Sequence, residues 1–239
     1  MGRVWPRHGH RGWPLNWVVR QHTTRLPMNQ VYDSPKLLSD PAARAARHAQ
    51  LVEPHVARLT AYVVALRNEA GPDVAIPDFD PWDGGAMAEL LYLLEAPGAK
   101  AVLSGFISRN NPDETAKNFF ELNRAAGIPR ERTVTWNIVP WYIGTGARIR
   151  AAGRSDIKAG LPALTRLLAL LPKLKAVVLV GRKAERAASL VSQLRPEVRL
   201  FRSPHPSPLF INNARGNRDR ILSVLREAAA CLDDRDSAV

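Results

Sequence analysis

The chain has 239 residues, a length that suits one domain with an extended terminus and disfavours a two-domain enzyme. Hydrophobic residues make up 46% and charged residues 23%, which excludes a wholly disordered or fibrous chain. No apolar run reaches the roughly 18 residues of a membrane-spanning helix, and the single cysteine, Cys231, excludes an internal disulfide. We therefore expect a cytoplasmic protein that has no membrane partner.

The charge balance indicates a polyanionic partner. Lys and Arg number 34 against 22 Asp and Glu, which leaves a net charge of +12. Nucleic acid is the leading candidate because phosphate contacts release counterions, although many arginines of such a chain could simply be solvated. Residues 1–27 carry five arginines and no acidic residue, and they lack helical or strand periodicity. We expect a basic, poorly ordered tail over residues 1–27 and a single α/β domain over residues 28–239.

After an N-terminal helical segment, predicted strands and helices alternate along the chain. Ser39-Asp40-Pro41 is typical of a helix start, and an apolar stripe with helical spacing continues to Gly71-Pro72. Short apolar runs predict strands at residues 74–79, 101–106, 133–139, 176–180 and 198–201. Helices are predicted at residues 86–94, 112–126, 156–171, 184–194 and 217–232. The alternation indicates an α/β fold with a mostly parallel sheet sandwiched between helices.

Ligands of such sheets bind beyond the carboxyl ends of the strands, so the residues directly after each predicted strand are the candidates for a site. The first strand leads into three carboxylates, Asp78, Asp80 and Asp83, in a turn rich in Gly and Pro. They could orient a water or face a developing cation, or they could cap a turn and a helix. Phe106 ends the second predicted strand, where it could form the wall of a flat pocket or belong to the core.

Two further strand ends carry polar groups. Asn137 lies inside an otherwise apolar strand, and its planar amide could read the edge of a base or fill a structural role. Residues 202–209, Arg-Ser-Pro-His-Pro-Ser-Pro-Leu, predict a stiff loop whose hydroxyls and backbone N–H groups can hold phosphates. His205, the only histidine beyond position 55, is fixed there between two prolines. We take this loop as the most informative segment of the chain.

These segments resemble the uracil-DNA glycosylase superfamily, with motifs closest to its family-1 enzymes. Residues 78–84, Asp-Phe-Asp-Pro-Trp-Asp-Gly, share the Asp-Pro-aromatic core of that family's water-activating motif. Residues 205–209, His-Pro-Ser-Pro-Leu, match its leucine loop in full, and Arg215-Gly216 comes after a slightly longer connection. The similarity extends from about residue 74 to residue 232. It implies a four-stranded parallel sheet between helices.

The resemblance implies a DNA repair enzyme that hydrolyses the N-glycosidic bond of uracil in double- or single-stranded DNA. Such an enzyme flips the base out of the helix and needs no metal or cofactor, and a monomer is expected. By this resemblance Asp80 is the catalytic carboxylate, which orients water and stabilises an oxocarbenium-like sugar. His205 is the catalytic donor to uracil O2 as the base departs with negative charge.

The resemblance also implies residues that bind the base and the DNA. Asn137 pairs with uracil, Phe106 stacks on it, and Trp82 blocks the 5-methyl group of thymine. Phe79, in place of the family's glutamine, belongs to the same uracil pocket. The implied DNA-binding residues surround His205 in the leucine loop and continue beyond it: Ser203, Pro204, Pro206, Ser207, Pro208, Leu209 and Arg215.

Departures from the family pattern leave alternatives open. Phe79 and Asp83 replace a glutamine and a histidine, so Asp78 or Asp83 could share the role given to Asp80. A member that binds uracil or abasic DNA with little or no turnover is the main alternative. A metal-dependent phosphohydrolase built on the three aspartates is a further alternative, although convincing histidine ligands are lacking. Outside the motifs, four lysines could contact phosphates or simply be solvated: Lys158, Lys173, Lys175 and Lys183.

Overall fold

A computed structural model describes residues 32–145 and 148–233 of the chain. The predicted tail, residues 1–27, lies outside the described residues. The described residues from Asp33 onward belong to one compact unit. No helix in these described ranges is both long enough and apolar enough to cross a membrane.

Helices and strands follow one another as the alternating pattern predicts. The helices are α1 (Pro41–Ala49), α2 (Pro54–Ala70), α3 (Ala99–Ser104), α4 (Glu114–Ala125), α5 (Arg154–Ala169), α6 (Ala188–Leu194), α7 (Pro208–Asn213) and α8 (Asn217–Asp233). The strands are β1 (Asp78–Phe79), β2 (Leu90–Leu94), β3 (Phe106–Ile107), β4 (Thr133–Asn137), β5 (Gly144–Thr145), β6 (Arg148–Ile149), β7 (Ala176–Val180) and β8 (Arg199–Ser203). Short 3₁₀ turns connect several of them, including residues 184–187 before α6.

A four-stranded sheet in the order β4-β2-β7-β8 forms the centre of the fold. All three strand pairings are parallel, and the register sets Leu94 beside Asn137 and Val180 beside Ser203. The predicted α/β fold with a parallel sheet between helices is confirmed. Because the strands are parallel, the segments that come after them emerge at one edge of the sheet.

Two apolar clusters cover the two faces of this sheet. Leu91 and Leu93 of β2 pack in the cluster that includes residues of α2 and α5. Leu90 and Tyr92 point to the other face and pack with residues of α4 and α8. At the end of β4, α5 approaches so closely that a Cβ on Gly160 would lie 2.0 Å from the carbonyl oxygen of Ile138. Glycine is therefore required where α5 crosses the carboxyl edge of the sheet.

The structure corrects three predicted elements in the first half of the chain. Residues 86–94 are not a helix, because they contain β2, whose Leu90–Leu93 stretch is fully buried. Residues 101–106 are not a strand but the end of α3 and the start of the two-residue β3. The strand predicted at 74–79 shrinks to β1, which pairs with β3 outside the four-stranded sheet. A continuous apolar run shows neither helical nor strand periodicity, so a buried strand and a buried helix look alike in sequence. This explains why a strand was predicted as a helix and a helix as a strand.

The N-terminal helical segment is also divided. α1 ends at Ala49 and α2 begins at Pro54, with a short 3₁₀ turn between them. Pro54 occupies the first turn of α2, where its missing N–H has no helical partner to lose. Asp40 caps α1 by accepting a hydrogen bond from the backbone N–H of Ala42 at 2.9 Å, as the Ser39-Asp40-Pro41 start predicts.

Candidate active site

A cavity of about 510 Å³ lies at the carboxyl edge of the four-stranded sheet. Residues that come after β2, the end of β4 and the loop after β8 line it, together with the N-terminal half of α4. This is the position at which ligands bind in parallel α/β sheets. Among its polar side chains, Glu95, Asn137 and His205 come from the carboxyl ends of strands of the four-stranded sheet.

Glu95 directly follows β2, an interior strand of the sheet. The backbone continues the sheet register for one more residue, since the Val139 N–H donates to the Glu95 carbonyl at 3.0 Å. Its side-chain Oε1 accepts a hydrogen bond from the backbone N–H of Ala152 at 2.5 Å, and Ala152 is itself fully buried. One carboxylate oxygen is thereby fixed, which orients the carboxylate at the cavity wall.

Asn137 ends β4 with 3% of its surface exposed. No hydrogen bond from another described residue occupies its side-chain amide. Two residues earlier on the same face, the hydroxyl of Thr135 is buried at the cavity without a hydrogen-bond partner among the described residues. Because buried polar groups normally have partners, the free amide of Asn137 is available to a ligand that carries a matching donor and acceptor.

His205 is held in place from several sides. A Cβ on Gly181 would lie 3.4 Å from the Cβ of His205, so the backbone after β7 packs directly against this side chain. The next residue, Pro206, is anchored by Asn118 of α4, whose Nδ2 donates to the Pro206 carbonyl at 3.0 Å. Burial lowers the pKa of His205, and the charges of Glu95 and Asp113 only partly oppose this effect. The ring is therefore neutral at pH 7 and can donate one N–H.

Asp113 is a second carboxyl group at the cavity, and its role is different. Its side chain caps α4 by accepting from the backbone N–H of Ala116 at 2.9 Å. Burial raises its pKa, while the hydrogen bonds from the helix N-terminus act in the opposite direction. The Asp113 carboxyl is occupied as the N-cap of α4, so Glu95 is better placed than Asp113 to act on a ligand.

Asp80 does not line the cavity, although its hydrogen-bond partner Ser108 does. Its side chain is 0% exposed, and its carboxylate accepts hydrogen bonds from Arg47, Arg130 and Ser108. Burial would raise the pKa of Asp80, but the two guanidinium charges and the Ser108 hydroxyl outweigh burial and lower it. The sequence pattern predicts Asp80 at a strand end of the main sheet, whereas it follows β1, which lies outside that sheet. Asp80 thus belongs to a buried ion-pair network.

Asp78 and Asp83 share this environment. Asp78 pairs with Arg67 at 2.9 Å, and Asp83 pairs with the Nε of Arg130 at 2.8 Å. No group of three or more His, Cys, Asp or Glu side chains in the described ranges is arranged to hold a metal ion. Arginine partners on the three aspartates disfavour the metal-dependent phosphohydrolase.

Three aromatic residues expected around the base also lie outside the cavity. Phe79 is buried against Trp136, with ring centroids 3.9 Å apart in a stacked arrangement. Trp82 is covered by the guanidinium of Arg47 at 3.6 Å, and Phe106 is fully buried beside His48. Phe79 and Phe106 are thus buried core residues in this structure, whereas Trp82 is half-buried under Arg47. The aromatic ring that does line the cavity is Phe119 of α4, which packs edge-on against Tyr92 at 4.7 Å.

The leucine loop reaches both the cavity and the surface. Pro206 lines the cavity beside His205. Ser207 caps α7 by accepting from the backbone N–H of Phe210 at 3.3 Å, and Pro208 occupies the first turn of that helix. Ser203 is buried, with its hydroxyl donating to the carbonyl of Pro204 at 3.0 Å. Leu209, in contrast, is 85% exposed, and Arg215 is exposed beyond α7.

Sequence reasoning missed Glu95 and Phe119. The pattern that could have located Glu95 is the run Leu90–Leu94 followed at once by Glu95-Ala96-Pro97-Gly98, an apolar strand that ends in a carboxylate and a turn. Phe119 sits on the correctly predicted helix α4, yet nothing in its spacing separates a cavity-lining ring from a core ring. His205 and Asn137 were found because their strands, β8 and β4, were predicted.

Comparison with known proteins gives a family for this chain. The family model of the uracil DNA glycosylase superfamily matches residues 81–229, well over half of the sequence. That range contains Glu95, Asn137 and His205, but neither Asp78 nor Asp80. A solution NMR structure of a candidate uracil DNA glycosylase from Methanosarcina acetivorans is similar at 15% identity and a TM-score of 0.42, over 60% of this chain and 94% of that one. Among curated proteins no match was found. On the family match, the chain belongs to the uracil DNA glycosylase superfamily.

Proposed function

We propose that this protein hydrolyses the N-glycosidic bond between uracil and deoxyribose in DNA and leaves an abasic site. The observation that supports this best is the convergence of Glu95, Asn137 and His205 on one cavity from three parallel strands. Membership of the superfamily and the net charge of +12 both favour DNA as the partner. Each of the three side chains has a task in this reaction.

Asn137 reads the base. Uracil presents an N–H donor at N3 beside a carbonyl acceptor at O4, and the planar amide of asparagine offers the complementary acceptor and donor. Cytosine places an acceptor and an amino donor at those positions, so the Asn137 amide would have to turn over to pair with it.

His205 stabilises the departing base. Cleavage of the glycosidic bond leaves the electron pair on uracil, where the negative charge is shared between N1 and the carbonyl oxygens. A neutral imidazole N–H aimed at O2 meets that charge as it develops, and no proton has to move. The lowered pKa of His205, caused by burial, keeps the ring in this neutral form.

Glu95 is the carboxylate that we assign to the sugar side of the reaction. The Ala152 N–H fixes one of its oxygens, so the remaining oxygen can orient a water molecule for attack at C1′. Its negative charge also stabilises an oxocarbenium-like sugar. This assignment replaces Asp80, whose carboxylate is enclosed by arginines and does not line the cavity.

The base has to leave the duplex before it can enter the cavity. Extrusion costs a few kcal/mol of stacking and pairing, least for mismatched or single-stranded uracil. Leu209 is exposed four residues after His205, at the start of α7, where an apolar side chain can fill the gap in the base stack. The Ser207 cap fixes the start of α7, and Leu209 comes three residues after Pro206, which lines the cavity.

The test is cleavage of labelled oligonucleotides that contain U·G, U·A, T·G or single-stranded U, revealed by alkali and performed in chelator. We expect abasic sites from uracil with the wild type and losses of about 10²–10⁴-fold with Glu95→Gln. His205→Ala should lose about 10²–10³-fold. Asp113→Asn is the matched control at the same cavity, and it should retain activity. Release of no base by the wild type, with uracil DNA still bound, would replace the enzyme by a uracil- or abasic-DNA-binding protein.

A further inference from the structure

The cavity contains a buried cation, Arg109, besides the three side chains assigned to the reaction. Arg109 lines the cavity with 4% of its surface exposed, and its Nε has no hydrogen-bond partner among the described residues. It forms no salt bridge within residues 32–145 and 148–233. We propose that Arg109 is a further catalytic residue, which stabilises the negative charge that develops on the departing base. This inference rests on the proposed function and adds a second electrostatic group to His205.

One hydrogen bond fixes the guanidinium of Arg109 in place. Its Nη2 donates to the Thr133 hydroxyl at 2.6 Å, and that hydroxyl donates in turn to the carbonyl of Arg130 at 2.8 Å. Because the Thr133 hydrogen is used in this way, its oxygen is oriented to accept from Arg109. The Cζ of Arg109 lies 5.9 Å from the ring centroid of Phe119, which also lines the cavity. The cation is thus held beside apolar surface, where charges interact more strongly than in water.

The position of Arg109 in the cavity follows from three polar residues of β4. Thr133, Thr135 and Asn137 alternate with apolar residues, so they share the face of the sheet that α4 covers. Asn137 ends the strand at the carboxyl edge, and Thr133 begins it about 13 Å further from that edge. Thr135 lies between them, and its hydroxyl is buried at the cavity without a partner among the described residues. The cavity therefore runs inward from Asn137, past Thr135, to Arg109.

This order of side chains matches the charge distribution of a departing uracil. C4 lies across the pyrimidine ring from N1, so O4 is the base atom farthest from the sugar. A base whose sugar remains at the carboxyl edge therefore directs O4 inward, toward the Thr135 hydroxyl and the Arg109 guanidinium. When the C1′–N1 bond breaks, its electron pair stays on the base and is shared among N1, O2 and O4. His205 meets this charge at O2, and Arg109 meets it at O4.

The reaction needs no proton from Arg109. The electron pair of the C1′–N1 bond passes to the base, the water oxygen bonds to C1′, and the water proton passes to the Glu95 carboxylate. The base leaves as an anion and then takes a proton from the solvent. Arg109 therefore acts by its charge alone.

The charge of Arg109 is available because no carboxylate of the described residues is bonded to it. Burial raises the pKa of Asp83, and both Arg130 and Arg109 oppose that effect, but the Asp83 carboxylate is bonded to Arg130 at 2.8 Å. A buried cation without a bonded partner normally lowers the stability of a protein. In this cavity it provides a fixed positive charge that stabilises a developing anion without rearrangement of the site.

The test compares Arg109→Gln with Arg124→Gln in single-turnover assays of base release. The two substrates are one single-stranded oligonucleotide with either uracil or 5-fluorouracil at the same position. Arg124 is the matched control: its Cζ lies 5.8 Å from the Phe120 ring of α4, but it is exposed and does not line the cavity. Fluorine withdraws electrons and stabilises the base anion, so release of 5-fluorouracil depends less on the protein. Thermal unfolding verifies that each variant remains folded.

Arg109→Gln should slow uracil release by about 10²–10³-fold, as the loss of one donor to a developing anion does in other enzymes. Its loss on 5-fluorouracil should be smaller by about tenfold or more. Arg109→Lys keeps the charge and should recover most of the uracil activity. The control should match wild type on both bases. Thr135→Val removes the neighbouring free hydroxyl without a change of charge, and it should lose less activity with the same preference between the bases. It decides the question if Arg109→Gln does not fold.

Equal losses by Arg109→Gln on the two bases would overturn the proposed role, since they would indicate general damage to the cavity. A wild-type rate on uracil would also overturn it.

If the wild type releases no base, calorimetry measures the binding of free 5-fluorouracil at pH 7 and pH 9, a range over which this base ionises. Glu95, Asp113 and His205 are present in both proteins, so their own titration cancels in the comparison. Tighter binding at pH 9 by the wild type but not by Arg109→Gln then supports the anion site while the proposed enzyme activity fails. An equal pH dependence in the two proteins would overturn the anion site as well.

Discussion

Replacing Asp80 by asparagine should lower the stability of the fold. The molecules that remain folded should still release uracil at the wild-type rate. The Asp80 carboxylate is fully buried and is the salt-bridge partner of Arg47, which is 1% exposed. Arg130 keeps two ion pairs in the variant, with Asp83 and Asp33, so its charge stays compensated. The main cost of the substitution is therefore the unpaired charge of Arg47 in the protein interior.

Removal of one partner of a buried ion pair costs about 3–5 kcal/mol, because the remaining charge is left without compensation. A typical domain has about 5–15 kcal/mol of stability, so Asp80→Asn should lower the free energy of unfolding by a large fraction of the total. Arg47 already has one Nη2 group without a hydrogen-bond partner among the described residues. The asparagine Oδ1 can still accept a hydrogen bond from Arg47, but it carries no negative charge to balance the guanidinium.

The stability that Asp80 contributes should decrease at acidic pH. The folded pKa of Asp80 is lowered from its ordinary value of 3.8, because its arginine partners outweigh burial. A carboxylate with a lowered folded pKa contributes its stability above the unfolded pKa and loses it as the pH falls through the folded pKa. The stability difference between wild type and Asp80→Asn should thus be full at pH 7 and shrink progressively below about pH 4.

Urea denaturation at several pH values measures the difference in unfolding free energy between wild type and Asp80→Asn. Activity is measured as single-turnover base release at urea concentrations below the unfolding transition. Glu95→Gln is the matched control, because it removes one carboxylate charge at the cavity while the amide oxygen can still accept from Ala152. We expect the opposite pattern for it: near-wild-type stability and loss of base release. An Asp80→Asn protein as stable as wild type but inactive would refute this reasoning and return the catalytic role to Asp80.

The remaining predictions concern the cavity and the loop. Asn137→Ala should reduce uracil release by about 10²-fold or more through lost base recognition, measured as single-turnover rates on uracil and cytosine substrates. The rate of uracil release should stay constant from pH 8 down to 6.5, the ordinary pKa of histidine, and fall only at lower pH. The reason is that burial lowers the pKa of His205 in the folded protein, and a pH–rate profile measures this. Trp82→Ala should leave discrimination of uracil from thymine unchanged, since Trp82 lies outside the cavity; equal T·G cleavage by both proteins is the expected readout. Leu209→Ala should slow release from duplex DNA more than from single strands, as parallel assays of the two substrates would measure.

Much of the fold could be predicted from the sequence because strands β4, β7 and β8 are bounded by turn residues and come after helices with clear ends. Of these, β4 and β8 carry Asn137 and the His205 loop to the carboxyl edge of the sheet. β2 could not be recognised, because its five residues are apolar on both faces and follow a short 3₁₀ turn after only two residues. A strand buried on both sides has no alternation to distinguish it from a helix segment.

The error at β2 hid Glu95 from the sequence analysis, and the predicted residues Phe79, Trp82 and Phe106 also lie outside the cavity. Once residues 86–94 are taken as a helix, the strand before them becomes the first strand of the sheet, and the carboxylates after it become the candidate site. Asp80 also lies in an Asp-Pro-aromatic sequence, which favoured the same position. The burial of Asp80 depends on Arg47, 33 positions away in α1, and on Arg130, 50 positions away before β4. Contacts at this separation cannot be read from local sequence.

The ion-pair network around Asp80 nevertheless reaches the cavity through one loop. Ser108 donates its hydroxyl to Asp80 and accepts from the backbone N–H of Asn110 at 2.9 Å. Arg130 binds the same loop through the Oδ1 of Asn110 while it pairs with Asp80. Ser108 lines the same cavity as Glu95, Asn137 and His205. The buried charges thus hold the Ser108 loop in place as one wall of the cavity. This structural role explains why a segment with three aspartates lies beside a site whose chemistry we assign to Glu95, Asn137 and His205.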